Sequence, residues 1–109
     1  MIGGEHSVSA PIIKAHNEKY ENMSVLQIDA HADLRDAYDG TPHSHASIMA
    51  RVVKDLRIPA VQVGIRSISG DEARSLKEDL PTRIFWSGTL LEKQTGSMKR
   101  SIPLPTMYI

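Results

Sequence analysis

Asp29-Ala30-His31-Ala32-Asp33 sets two carboxylates and an imidazole at every second position, directly after the apolar run Val25-Leu26-Gln27-Ile28. That run has the length and β-branching of a buried strand. Side chains alternate along a strand, so Asp29, His31 and Asp33 are expected to leave the backbone on one side, just past its carboxyl end. The alanines between them leave room for the polar groups to bend toward one point. Oxygen and imidazole donors without sulfur suit a divalent cation. The plain alternative is a polar loop that happens to hold a histidine between two aspartates. A second element, Gly3-Gly4-Glu5-His6-Ser7, adds another imidazole and favours the metal site.

The elements that must position these residues can be read from periodicity. Strand-like runs recur at Val25–Ile28, Val61–Ile65, Arg83–Trp86 and Thr106–Ile109. Helical patterns lie between them. Pro11 to Tyr20 follows Ser7 and Ser9, either of which could cap it, with Pro11 in the first turn. From Ser44 to Leu56, the residues Ile48, Met49, Val52, Val53 and Leu56 form an i, i+3, i+4 stripe. Ser69-Gly70-Asp71-Glu72 has the form of a capping box and opens a helix toward Leu80, which Pro81 ends. Leu90 to Arg100 also reads as helical, weakened by Gly96. Strands alternating with helices give right-handed crossovers and a parallel sheet, which binds ligands beyond the carboxyl ends of its strands. The expected fold class is therefore α/β, a three-layer α/β/α arrangement with a mainly parallel sheet, in one domain spanning 1–109.

Composition narrows the function classes. The 109 residues carry 13 Lys plus Arg against 13 Asp plus Glu, and no cysteine. Balanced charge gives no argument for nucleic acid or for an anionic membrane surface. Without cysteine there is no disulfide framework, thiolate zinc site or Cys nucleophile. The apolar runs are too short to span a bilayer, and no secretion signal is visible, so a cytoplasmic location is expected. Ile2 reads as the end of a strand and Met107-Tyr108-Ile109 as a strand without a following turn. The sequence thus reads as the central fragment of a larger domain. Unpaired strand edges and apolar sheet faces lead to an expected homo-oligomer.

Gly-Gly-Glu-His-Ser followed by Asp-Ala-His-Ala-Asp resembles the ureohydrolase family of arginases, agmatinases and their relatives. The resemblance extends through Asp33-Leu34-Arg35-Asp36, Ser44-His45-Ala46-Ser47 and Val61-Gln62-Val63-Gly64-Ile65-Arg66-Ser67. Leu34-Arg35-Asp36-Ala37 is similar to the agmatinase form rather than to the Asn-containing loop of arginases. The resemblance implies a partial arginase-like fold and a binuclear manganese centre. His6, Asp29, His31 and Asp33 match metal ligands, Asp29 bridging, and His45 matches a substrate-site histidine that assists proton transfer. Two ions about 3.5–4 Å apart activate a bridging water as hydroxide near neutral pH. The implied reaction is attack of that hydroxide on the guanidinium carbon of a small cationic guanidino substrate, agmatine, with protonation of the departing amine. The family draws two further ligands from an Asp-x-Asp motif that follows a strand resembling Met107-Tyr108-Ile109. These 109 residues hold four of the six, so the isolated chain is expected to bind manganese weakly and to be inactive. The alternatives are a non-catalytic, oligomerising remnant, or a guanidinobutyrase, arginase or formiminoglutamase relative. Among the other histidines, His16 is expected to be a solvated surface residue and His43 a loop residue. Glu5 is either a support for His6 or a turn residue.

Overall fold

The computed structural model describes residues 2–88 and 107–108. Four parallel strands form one sheet: β1 (Ser24–Ile28), β2 (Ala60–Ile65), β3 (Thr82–Trp86) and β4 (Met107–Tyr108), in the order β3-β2-β1-β4. All four expected strands are present within a residue or two of their sequence boundaries. Val25 lies opposite Ala60 and Gln27 opposite Gln62, while β4 pairs with the start of β1 through Ser24–Met107. The fold class is α/β with a parallel sheet and flanking helices.

Helix α1 (Ser9–Lys19) begins without a side-chain cap, so neither candidate serine caps it. Glu5 instead caps a preceding 3-10 turn (His6–Val8), its carboxylate accepting the Ser7 N–H at 3.1 Å. The second helix is composite. It opens as a 3-10 turn (His45–Ser47), passes through one α turn, α2 (Ile48–Ala50), and closes as a π turn (Arg51–Asp55). Arg57 at φ +54 and Pro59 then turn the chain into β2. Its apolar stripe is buried as expected through Ile48, Met49, Val52 and Val53. Helix α3 (Gly70–Ser75) carries both arms of the capping box, but it is shorter than expected and gives way to turns before Leu80. The expected helix over Leu90 to Arg100 lies outside the described residues.

One core cluster joins Val25, Ala60 and Ile65 of the sheet to Met49, Val52 and Val53 of the composite helix. Each of these buried Val, Ile and Met side chains contributes about 1.5–3 kcal/mol relative to exposure. Alternation sends Leu26 and Ile28 to the opposite face, where Ile28 is 69% exposed. The buried face fixes the register of β1, and with it the direction in which the Asp29–Asp33 loop leaves the sheet.

Candidate metal centre

Beyond the carboxyl end of β1, three side chains converge. One ligand atom from each of His6, Asp29 and Asp33 lies within 4.8 Å of the others. His6 Nδ1 is 2.9 Å from Asp33 Oδ2. His31, the fourth sequence candidate, stands beside this group: its Nδ1 is 3.5 Å from Asp29 Oδ1, and its side chain is 66% exposed. Simple strand alternation does not explain the convergence. The strand ends at Ile28, and Asp33 reaches the group by taking φ +53, a left-handed conformation that aspartate tolerates better than most residues.

Backbone hydrogen bonds hold that loop on three sides. Asp29 N–H donates to Val63 O at 3.0 Å, and the N–H groups of Arg66 and Ser67 donate to Ala30 O. Ala50 N–H donates to Asp33 O at 3.0 Å, and Arg35 N–H to Ala46 O at 3.3 Å, which ties the loop to the start of the composite helix. Gly64 lets β2 approach closely. It sits at φ +87, and a Cβ there would lie 3.3 Å from Asp29 O.

Three supports escaped sequence reasoning. The buried carboxylate of Glu72 accepts Leu34 N–H at 3.0 Å while completing the α3 capping box through Ser69 N–H at 2.7 Å. Its capping role was legible; its reach across 38 residues to the Asp33–Leu34 turn was not. Gln27 and Gln62 are buried within otherwise apolar strands, and Gln27 Nε2 lies 3.1 Å from Asp33 Oδ2. The signal was available, since a polar side chain at an inward strand position needs a partner.

The electrostatics follow from this geometry. The hydrogen bond that His6 donates to the Asp33 carboxylate raises the His6 pKa above its ordinary value against an opposing cost of burial, with the Asp33, Asp29 and Glu5 charges adding to the rise. Burial pushes Asp29 upward, but the N–H groups of His31 and Ala30, His6 and the Gln27 amide outweigh it, and its pKa is lowered. The carboxylates of Asp29 and Asp33 next to an imidazole make a donor set that fits a divalent cation, with His31 positioned to extend it.

The cluster stands between two concavities. A groove of about 440 Å³ is mostly apolar, lined by Ile12, Ile13, Leu26 and Ile28 with His6 and Asp29 at its edge. A cleft of about 260 Å³ is lined by His31, Asp33, Arg35, Tyr38, His45 and Glu72 among others. The smaller one gathers His31, Asp33 and His45 in its lining. His45 reaches it from the 3-10 turn, with the Tyr38 ring edge-on at 5.7 Å. His43 is an exposed loop residue. His16 is not simply solvated: it is half-buried, with Nδ1 2.9 Å from Ile12 O, and lines the apolar groove.

A parallel α/β sheet with an imidazole–carboxylate cluster beyond its strand ends is the arrangement of a candidate metal-site protein. Comparison with known proteins narrows it. The profile of the arginase family matches residues 1–103. An N(1)-aminopropylagmatine ureohydrolase from Synechocystis is 39% identical over 88 residues, covering 79% of this chain and 28% of that protein. An agmatinase from Bacillus cereus is 43% identical over 79 residues, covering 71% of this chain and 27% of that protein. The solved arginase from Medicago truncatula superposes with a TM-score of 0.74 at 36% identity, covering 84% of this chain and 29% of that one. The chain belongs to the arginase family. It spans less than a third of the length of these relatives.

Proposed function

We propose that the protein carrying this sequence is an agmatinase-type ureohydrolase, a manganese-dependent enzyme that converts agmatine to urea and putrescine. The observation that carries the reading is the meeting of His6, Asp29 and Asp33 at one point, next to a cleft that Asp33 and His31 share with His45. His6, Asp29, His31 and Asp33 would hold the cations. Bound cations at such a centre supply Lewis acidity and a water acidic enough to act as nucleophile near neutral pH.

The remaining steps belong to the chain's own side chains. The cleft receives the planar guanidinium with its carbon facing the cluster, and its walls limit competing water. His45 protonates the departing amine nitrogen, so that putrescine leaves as a neutral amine rather than an anion. The agmatinase-like Leu34-Arg35-Asp36-Ala37 stretch favours agmatine over arginine. The similarity to an aminopropylagmatine ureohydrolase favours a second reading, a longer guanidino-polyamine in the same cleft.

The test is urea release by the whole protein with Mn2+, comparing kcat/KM on agmatine, N1-aminopropylagmatine and arginine. Preference for agmatine supports the proposal; preference for aminopropylagmatine selects the second reading. Preference for arginine, or no urea from any of them, overturns both. A polypeptide limited to residues 1–109 offers four ligands of the six that the resemblance implies, and it hydrolyses agmatine negligibly.

A further inference from the structure

Gln27 and Gln62 face one another across β1 and β2 in register, both buried. A buried primary amide is costly unless its donors and acceptor are used. Here they are used in one direction. Gln27 Nε2 lies 3.1 Å from Asp33 Oδ2, 3.2 Å from His31 O and 3.4 Å from Asp29 Oδ2. Ionised carboxylates only accept, so the amide nitrogen faces them and the amide oxygen looks back into the sheet. There Gln27 Oε1 accepts from Gln62 Nε2, which also donates to Ala32 O at 2.7 Å. Gln62 Oε1 in turn accepts the Thr82 hydroxyl at 3.0 Å. Three adjacent strands thus each supply one polar side chain to a line of donors that ends on both carboxylates of the cluster.

We propose that Gln27 is a positioning residue for the metal centre, and that Gln62, oriented by the Ala32 carbonyl and supported by the Thr82 hydroxyl, fixes which end of its amide faces the ligands. The inference rests on the reading of His6, Asp29 and Asp33 as ligands. Two carboxylates close together repel before a cation arrives; a shared amide donor reduces that repulsion and holds both side chains in place. The relay works only with its polarity intact. A flipped Gln27 would present its oxygen to two carboxylates, and Gln62 opposes the flip: the Ala32 carbonyl, which only accepts, keeps Gln62 Nε2 as the donor toward Gln27 Oε1, while the Thr82 hydroxyl satisfies Gln62 Oε1. The preorganised centre then takes up a cation with less rearrangement.

Mn2+ titration of the metal-stripped whole protein tests this, followed by the electron paramagnetic resonance of free Mn2+, with metal-free thermal melting in parallel. Asp29→Asn serves as the control for the ligand reading. Gln27→Leu is expected to weaken Mn2+ binding by about 10–100-fold. Thr82→Val is nearly isosteric, never touches the cluster and is expected to fold; it weakens binding by roughly threefold through the relay. Asp29→Asn losing affinity while Gln27→Leu and Thr82→Val bind Mn2+ as the wild type does overturns the relay alone, whatever their melting temperatures do. Wild type binding no more tightly than Asp29→Asn overturns the ligand reading and the relay with it. If Gln27→Leu does not fold, Thr82→Val decides: weakened binding upholds the relay and unchanged binding refutes it.

Discussion

Replacing Glu72 by glutamine keeps the side chain's shape and removes one acceptor. In the native protein Oε1 accepts Leu34 N–H and Oε2 accepts Ser69 N–H, at 3.0 and 2.7 Å, with Arg35 Nε a further 3.9 Å from Oε2. A glutamine has a single carbonyl oxygen, so one backbone N–H would lose its acceptor and meet an amide donor. Losing a hydrogen bond to a charged acceptor costs about 1.5–3 kcal/mol. The Arg35 contact is long and partly exposed and contributes well under 1 kcal/mol. Easier burial of the neutral amide offsets part of the loss. The net expectation is a destabilisation of about 2 kcal/mol for Glu72→Gln, and about 3–4 kcal/mol for Glu72→Ala, which loses both bonds. Urea unfolding of the metal-free protein measures it as a lowered midpoint at unchanged slope. Metal must be absent, because binding to the native state would mask the change. A Glu72→Gln midpoint within about 0.5 kcal/mol of wild type would refute the claim that this carboxylate braces the Asp33–Leu34 turn.

Other expectations follow from the same geometry. Gly64→Ala places a Cβ 3.3 Å from Asp29 O at φ +87 and should cost about 1–3 kcal/mol, read by the same urea assay; an unchanged midpoint would count against the close approach. His45→Ala in the whole protein should lower kcat on agmatine by about 10²–10⁴-fold, while Mn2+ affinity stays within about twofold; a normal kcat removes His45 from proton transfer. Mn2+ uptake should weaken as pH falls through the His6 titration, which lies above 6.5, because the cation must displace that proton. In the metal-free protein the sign reverses: the His6–Asp33 pair's stabilisation is full below pH 6.5 and is lost as pH rises through the raised pKa, and His6→Asn should flatten that melting profile. A polypeptide of residues 1–109, with Ile28 69% exposed, should self-associate in sedimentation across a dilution series; a monomer at every concentration would contradict this.

What the sequence revealed, and what it hid, divides along the range of the interactions. The four strands and the buried stripe of the composite helix follow from local periodicity, and the Ser69–Glu72 box from a four-residue pattern. Each is decided by neighbours within one or two turns. The start of α1 and the end of α3 were less legible: α1 begins at Ser9 without a side-chain cap, and α3 gives way to turns at Leu76, before Pro81 is reached. The Asp29-Ala30-His31-Ala32-Asp33 spacing pointed to the loop in which Asp29 and Asp33 meet His6, but not to the way they meet. Alternation alone would have grouped all three side chains, whereas the left-handed turn at Asp33 brings that carboxylate to His6 and leaves His31 outward.

The two glutamines matter more than their spacing suggests. A metal loop built on strand alternation would need no more than a rigid strand behind it. A loop that departs from alternation needs side chains to hold the departing carboxylates, and the sheet directly beneath them supplies an amide donor. Gln27, two residues before Asp29 and inward-facing, is the nearest such position on β1; Gln62 is its register partner on β2, and Thr82 supplies the donor from β3. Burying two amides here gives up the apolar contacts that valine or leucine would make in a parallel sheet. The sheet accepts that loss at the positions beneath the carboxylates and keeps Val25, Ala60 and Ile65 apolar elsewhere on the core face.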